Sequence, residues 1–130
     1  MNYILALLYH RQTSKYSIHG LWPQIPNVQW PEYCTTKKFN LSELDKTTRR
    51  RLKQVWYSYD KDDEHFWKHE FEKHGTCSGL SESQYFAKVL DLYDKAIQLP
   101  KYLESIRHGN NVHIPVSSTW ELLQNAKLKY

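Results

Sequence analysis

The stretch Phe66-Trp67-Lys68-His69-Glu70-Phe71-Glu72-Lys73-His74-Gly75-Thr76-Cys77 constrains this chain more than any other. It crowds two imidazoles, two carboxylates and two ammoniums among apolar anchors and ends on a cysteine. Such a density of polar groups is held in place only by a packed scaffold, which Phe66 and Phe71 would reach from the same segment. The spacing predicts a helix from Glu64 or His65 to His74, stopped by Gly75. Lys61-Asp62-Asp63-Glu64 reads as the polar loop before it.

The pattern His-Glu-x-x-x-His invites comparison with the zinc-protease helix, in which two His four residues apart share one face. Here the spacing is five, and five steps of about 100° turn the second imidazole roughly 140° away from the first. One ion on a regular helix cannot take both. His65 and His69 do have the four-residue spacing, but no third ligand accompanies them, so no metal is expected.

Upstream, Tyr3 to Tyr9 is an apolar run that reads as a strand. The polar connector His10-Arg11-Gln12-Thr13-Ser14-Lys15 is of hairpin length, and Tyr16 to His19 reads as the neighbouring strand. His19 is expected at its end, with Gly20 letting the backbone turn. Pro23, Pro26 and Pro31 make the segment from Pro23 to Cys34 a stiff loop. Asn40 to Tyr59 is expected to be helical in two pieces, with Leu41 and Leu44 in the first and Leu52, Val55, Trp56 and Tyr59 along one face of the second. Arg49, Arg50 and Arg51 fan around that helix and read as a solvated face.

Ser81-x-x-Gln84 has the form of a capping box before the stripe Tyr85, Val89, Leu92, Ala96 and Leu99, a core helix ending at Pro100. A basic, mixed segment follows. Ser118-x-x-Glu121 repeats the capping form, which predicts a short final helix carrying Trp120, Leu122, Leu123 and Ala126.

One core's worth of chain is present: 130 residues, 40% hydrophobic, with five Trp, ten Tyr and four Phe. That size fits a single domain over residues 1–130. A net charge of +4 with His neutral, rising as the seven His protonate, favours a polyanionic partner. No stretch reaches membrane-spanning length, and Met1 to Tyr9 lacks the length and basic start of a signal peptide. Two cysteines, Cys34 and Cys77, allow one bridge or two free thiols, and composition alone favours the thiols.

A second segment, Tyr16-Ser17-Ile18-His19-Gly20-Leu21-Trp22-Pro23-Gln24, completes a pattern. His19-Gly20-Leu21-Trp22-Pro23 and His69-Glu70-x-x-Lys73-His74-Gly75-Thr76-Cys77 resemble, in order, the two active-site segments of the T2 ribonucleases. Trp30-Pro31-Glu32-Tyr33-Cys34 is similar to the family segment carrying a partner cysteine, and Tyr85 to Leu99 to the helix after the second motif. The resemblance runs from about Tyr3 to Leu99. It implies an α+β fold, a central antiparallel sheet flanked by helices. Members of the family usually go on with further strands and another cysteine pair, so the sheet here is expected to be smaller or its edge covered by a partner.

The resemblance also implies a Cys34–Cys77 bridge, closing a loop of roughly 43 residues worth about 4 kcal/mol in the chain-entropy model. An oxidising compartment, secretory or other, would follow. The implied activity is endonucleolytic cleavage of single-stranded RNA with low base specificity and no cofactor. RNA supplies its own nucleophile, the 2′-hydroxyl, whose attack on phosphorus expels the 5′-oxygen and leaves a 2′,3′-cyclic phosphate. The protein need only move protons and stabilise charge, and imidazoles do the first near neutral pH.

Position by position, the resemblance implies His74 as general base and His19 as general acid, with His69 holding the phosphate. Glu70 and Lys73 would support the phosphorane-like transition state, Glu70 also keeping a nearby imidazole charged. Trp22 would stack on the base 5′ to the cleaved phosphate and Phe66 on the base 3′ to it. Gln24 stands where the family often has Asp or Asn, and its amide both donates and accepts. Two other readings are an RNA-binding relative without turnover and a hydrolase using Cys77 with His74. The second is disfavoured, since Cys77 lies three residues from that His and has Cys34 as an evident partner.

Overall fold

The computed structural model describes residues 2–24, 31–60 and 62–124. Strands β1 (Asn2–His10) and β2 (Lys15–Gln24) form the expected hairpin, joined by a four-residue turn in which Ser14 takes a φ of 57°. β2 is longer than expected, continuing past Gly20 to Gln24, so His19 lies inside the strand. Its register explains why it still stands apart. Ala6 pairs with Gly20 and Leu7 with Ile18, which leaves His19 as the extra residue of a β-bulge. A bulge leaves one residue out of the ladder and re-aims its side chain.

A third strand, β3 (Asn111–Val116), pairs antiparallel with the other edge of β1, giving the order β2-β1-β3. It falls in the segment that read as merely basic and mixed. Pro115 sits within it opposite Ile4. A proline lacks the ladder donor and is tolerated on an edge strand such as this one.

Directly paired residues share a face. Tyr3, Leu5 and Leu7 of β1, Ile18 and Leu21 of β2 and Val112, Ile114 and Val116 of β3 turn into the core. The rows on the opposite face are Trp22–Ile4–Pro115 and Gly20–Ala6–His113.

Among the described residues, four helices cover the core face. α1 (Lys46–Val55) follows a short 3₁₀ turn at Leu41–Glu43 and is capped by Asp45, whose carboxylate accepts from the Thr48 amide at 2.7 Å. The two-piece expectation holds, but the second piece stops at Trp56 and Tyr59 lies outside it, exposed. α2 (Asp63–Lys73) is the motif helix, capped by Asp62 and passing through His74 into a 3₁₀ turn at Gly75–Cys77. α3 (Glu82–Ala96) carries the expected capping box of Ser81 and Gln84. Pro100 does not end the helical region, since it opens α4 (Pro100–Ile106) at that helix's first turn.

Trp56, Phe71, Tyr85 and Phe86 are fully buried against one another and against the sheet, and truncating a ring of this kind costs about 3–5 kcal/mol. Two hydroxyls tie α3 to the bulged strand, Tyr85 donating to the Leu21 carbonyl at 2.9 Å and Tyr93 to that of Tyr16 at 2.6 Å. Arg51 is not merely solvated: it bridges α1 to α3 through Asp94 and lies over the Tyr93 ring.

The expected final helix is absent among the described residues. Ser117 instead accepts from the amides of Thr119 and Glu121, forming a local turn in which Trp120 adopts a φ of 67° and stacks on Tyr3 at 4.3 Å. Pro26, Trp30 and Ala126 lie outside the described residues.

Candidate active site

The site is built where α2 crosses the β2 edge of the sheet. Glu70 is at its centre and is 3% exposed. One carboxylate oxygen, Oε1, accepts from the Trp22 indole N–H at 3.0 Å. The other, Oε2, lies 4.0 Å from Nε2 of both His69 and His74. This approach requires the glycine at position 20: a β-carbon there would collide with Glu70 Oε1 and with the Trp22 indole nitrogen.

Trp22 is the hub of the aromatic groups. Its ring meets His19 edge-on at 5.0 Å, His113 edge-on at 5.4 Å, and His74 at 5.5 Å with the planes 34° apart. Phe66 packs 5.9 Å from His19 on the other side. His19, Trp22, Phe66, His69, Glu70, Lys73 and His74 all line one open cavity of about 320 Å³. Seven of the residues expected in the site thus converge. Gln24 does not, for its amide turns back to the Pro23 carbonyl at 3.2 Å and it is not part of the cavity wall.

Cys34 and Cys77 are joined, with Cα atoms 4.9 Å apart, which fastens the segment after β2 to the end of α2. The same junction is sewn by hydrogen bonds. The Tyr33 amide donates to the Lys73 carbonyl at 2.7 Å and the Cys34 amide to Thr76 Oγ1 at 3.1 Å, while the Thr76 hydroxyl donates to the Glu72 carbonyl. These bonds satisfy carbonyls at the helix end. They also carry Glu32 to the cavity wall, where its Oε1 faces Lys73 Nζ at 3.6 Å.

Glu32, on the cavity wall, and His113, packed against the Trp22 ring, are two residues at the site that sequence reasoning did not single out. Glu32 reaches the site through the cross-link. His113 reaches it through β3, in the row of Gly20 and Ala6. The alternation of Val112, Ile114 and Val116 around it was the one local signal.

Burial dominates the electrostatics. It pushes Glu70 up to about 7, against the opposing pull of the Trp22 N–H and Lys73. It drives His74 down to about 4, with the positive charges of Lys73, His69 and His19 adding to the effect. His19 is lowered first by burial and then by His113, His69 and Lys73. An ion pair between Glu70 and His74 would shift both groups the other way, but at 4.0 Å the pair is too long for a hydrogen bond. Burial therefore sets the direction of both shifts. Among the described residues no group of three or more His, Cys, Asp or Glu is placed to hold a metal ion, and no helix is long and apolar enough to cross a membrane.

Comparison with known proteins bears directly on this arrangement. The sequence profile of the Ribonuclease T2 family matches residues 4–127. Ribonuclease T2 protein rnst-2 of Caenorhabditis elegans is 40% identical over 91 residues, covering 63% of this chain and 32% of that protein. Intracellular ribonuclease LX of Solanum lycopersicum is 38% identical over 88 residues, covering 62% and 35%. The chain therefore spans about a third of the length of these curated relatives. Among solved structures, RNase NT in complex with 5′-AMP superposes with a TM-score of 0.72 at 22% identity, covering 99% of this chain and 92% of that one. At that identity the likeness establishes the α+β fold.

Proposed function

The chain belongs to the ribonuclease T2 family, and on that premise we propose that its cleft cleaves single-stranded RNA by transphosphorylation, yielding 2′,3′-cyclic phosphate ends with low base specificity. The observation that carries this reading is the convergence of His19 and His74 on one Trp22 ring, at 5.0 and 5.5 Å, beside a single buried carboxylate.

His74, held neutral by burial, takes the proton of the 2′-hydroxyl as that oxygen attacks phosphorus. The bond to the 5′-oxygen breaks, and His19, protonated, gives the leaving oxygen its proton. Protons balance over the step: one imidazole gains what the other loses. Lys73 offers positive charge to the phosphoryl oxygens, whose charge peaks in the transition state, and His69, at the mouth of the cavity, holds the phosphate. Glu70, raised to about 7, is protonated in mildly acidic solution. In that state it donates a hydrogen bond to a phosphoryl oxygen, a role that differs from keeping an imidazole charged.

Phe66 supplies an apolar face on the 3′ side of the cleaved phosphate and Trp22 the wall on the 5′ side, and ring faces accept any base. The Cys34–Cys77 bridge supports a secretory or otherwise oxidising location. Incubation with a dinucleoside phosphate tests the reading: a 2′,3′-cyclic nucleotide product supports it, and binding without any cleavage contradicts it.

A further inference from the structure

Beyond the catalytic cavity, the surface continues through two more clefts that share walls. A cavity of about 540 Å³ adjoins the first along His19, Phe66 and His69 and extends to Tyr57, Tyr59 and Asp60. Tyr57 and Tyr59 in turn form one wall of a third cleft of about 430 Å³.

We propose that this third cleft, lined by Tyr9, His10, Arg11, Tyr57, Tyr59 and Asn110, is a further nucleotide subsite that takes the second nucleotide 3′ to the cleaved bond. The proposal rests on the reading of the catalytic cleft given above, which sets Phe66 on the 3′ side.

The third cleft has the two elements that single-stranded nucleic acid requires, ring faces for a base and a cation, Arg11, for a phosphate. Tyr59 is 77% exposed, unusual for so large a side chain, yet it is anchored: its hydroxyl meets His10 Nδ1 at 3.3 Å and its ring lies 5.8 Å from the imidazole. His10 is fixed from below by Ser17 at 2.7 Å and flanked by Tyr57 at 5.4 Å. The result is an ordered aromatic ledge facing solvent.

Arg11 stands on its rim, its Nε donating to Asn110 at 3.1 Å, and Arg107 lies over the Tyr9 ring at 4.1 Å. No carboxylate lines this cleft among the described residues. The middle cleft differs, since Asp60 and Asp62 border it. Those carboxylates are engaged locally, Asp60 with the Ser58 hydroxyl and the Asp62 amide, Asp62 with the His65 amide. A base sits more comfortably there than a phosphate, and the backbone is drawn on toward Arg11.

The test uses oligodeoxynucleotides with a single ribose, so that only one bond is cleavable. Extending a dinucleotide by one residue on the 3′ side is expected to raise kcat/KM about tenfold, the scale of one base–aromatic stack. Arg11→Ala and Tyr59→Ala each shrink the ratio of trinucleotide to dinucleotide rates, and extension on the 5′ side shows no sensitivity to Arg11→Ala. A ratio near one in the parent protein, or a ratio that Arg11→Ala leaves intact, overturns the subsite. If no substrate is cleaved, the catalytic reading fails separately. The same ratio taken from the affinities of all-deoxy oligomers then decides the subsite by itself.

Discussion

Glu70 Oε1 occupies the space that a β-carbon at position 20 would need, so a glycine on β2 and a carboxylate on α2 are fitted to each other across the site. The fit sets how closely the motif helix approaches the sheet edge. It also holds one oxygen of the Glu70 carboxylate against the Trp22 indole, at the wall of the cavity.

Gly20→Ala is accordingly expected to displace Glu70 and Trp22 and to lower kcat at least tenfold. Overpacking of a tight contact costs about 1–3 kcal/mol, so the variant should still fold with a reduced Tm. Thermal unfolding measured beside dinucleotide cleavage separates the two effects. Full activity in Gly20→Ala would show that the close approach is not required.

Glu32 sits 3.6 Å from Lys73, so on the proposed reading it would compete with a substrate phosphate for that ammonium. Glu32→Gln should therefore lower KM for RNA, with kcat little changed, in assays at low salt. An unchanged KM would mean that the pair exerts no hold on Lys73 once substrate arrives.

The buried pair has a signature in stability. Glu70, raised from 4.5 to about 7, is protonated in the folded chain and ionised in the unfolded one across that window, so its contribution is present at low pH and lost as pH rises toward 7. His74, lowered from 6.5 to about 4, behaves oppositely: the unfolded chain binds its proton first, and stability falls as pH drops from 6.5 toward 4. Between about 4.5 and 6.5 the two trends offset each other. Glu70→Gln removes the opposing carboxylate trend and leaves those of His74 and the other buried imidazoles, so its Tm should climb more steeply with pH over that window than the parent's. Parallel Tm curves for the two proteins would refute the assignment.

The same shifts fix the pH dependence of kcat/KM, which follows the free protein's groups. The base must be neutral, so activity rises as pH passes about 4, where His74 loses its proton. The acid must be charged, so activity falls as His19 deprotonates, below the ordinary imidazole value of 6.5. The maximum lies on the acid side. His113→Phe removes one of the charges that lower His19 and should move the alkaline limb upward. A single limb, or a maximum above neutrality, would contradict the pairing of these two groups.

Much of this site was legible because its signals are local. The apolar run of β1, the capping box of Ser81 and Gln84, and the helix ending at Gly75 each depend on residues within a few positions of one another. What escaped depends on distant partners. His19 was expected at a strand end because nothing nearby marks a bulge, which exists only in the register with Ala6 and Leu7. β3 was hidden by Pro115, acceptable only on an edge strand, and α4 by its seven-residue length. The turn at Ser117 defeated the capping form one residue later, because the Ser117 hydroxyl takes the amides that a helix would have used. Glu32 became part of the cavity only through the cross-link between Cys34 and Cys77.

The division of labour between the two imidazoles is tested most directly by changing the leaving group. A dinucleoside phosphate expels an alkoxide that needs a proton, whereas a nucleoside 3′-(p-nitrophenyl phosphate) expels a phenolate that does not. His19→Ala should lose about 10²–10⁴-fold on the first and retain most activity on the second, while His74→Ala loses comparably on both. If His19→Ala falls equally on the two substrates, or His74→Ala is spared on either, the roles proposed for the cleft are wrong.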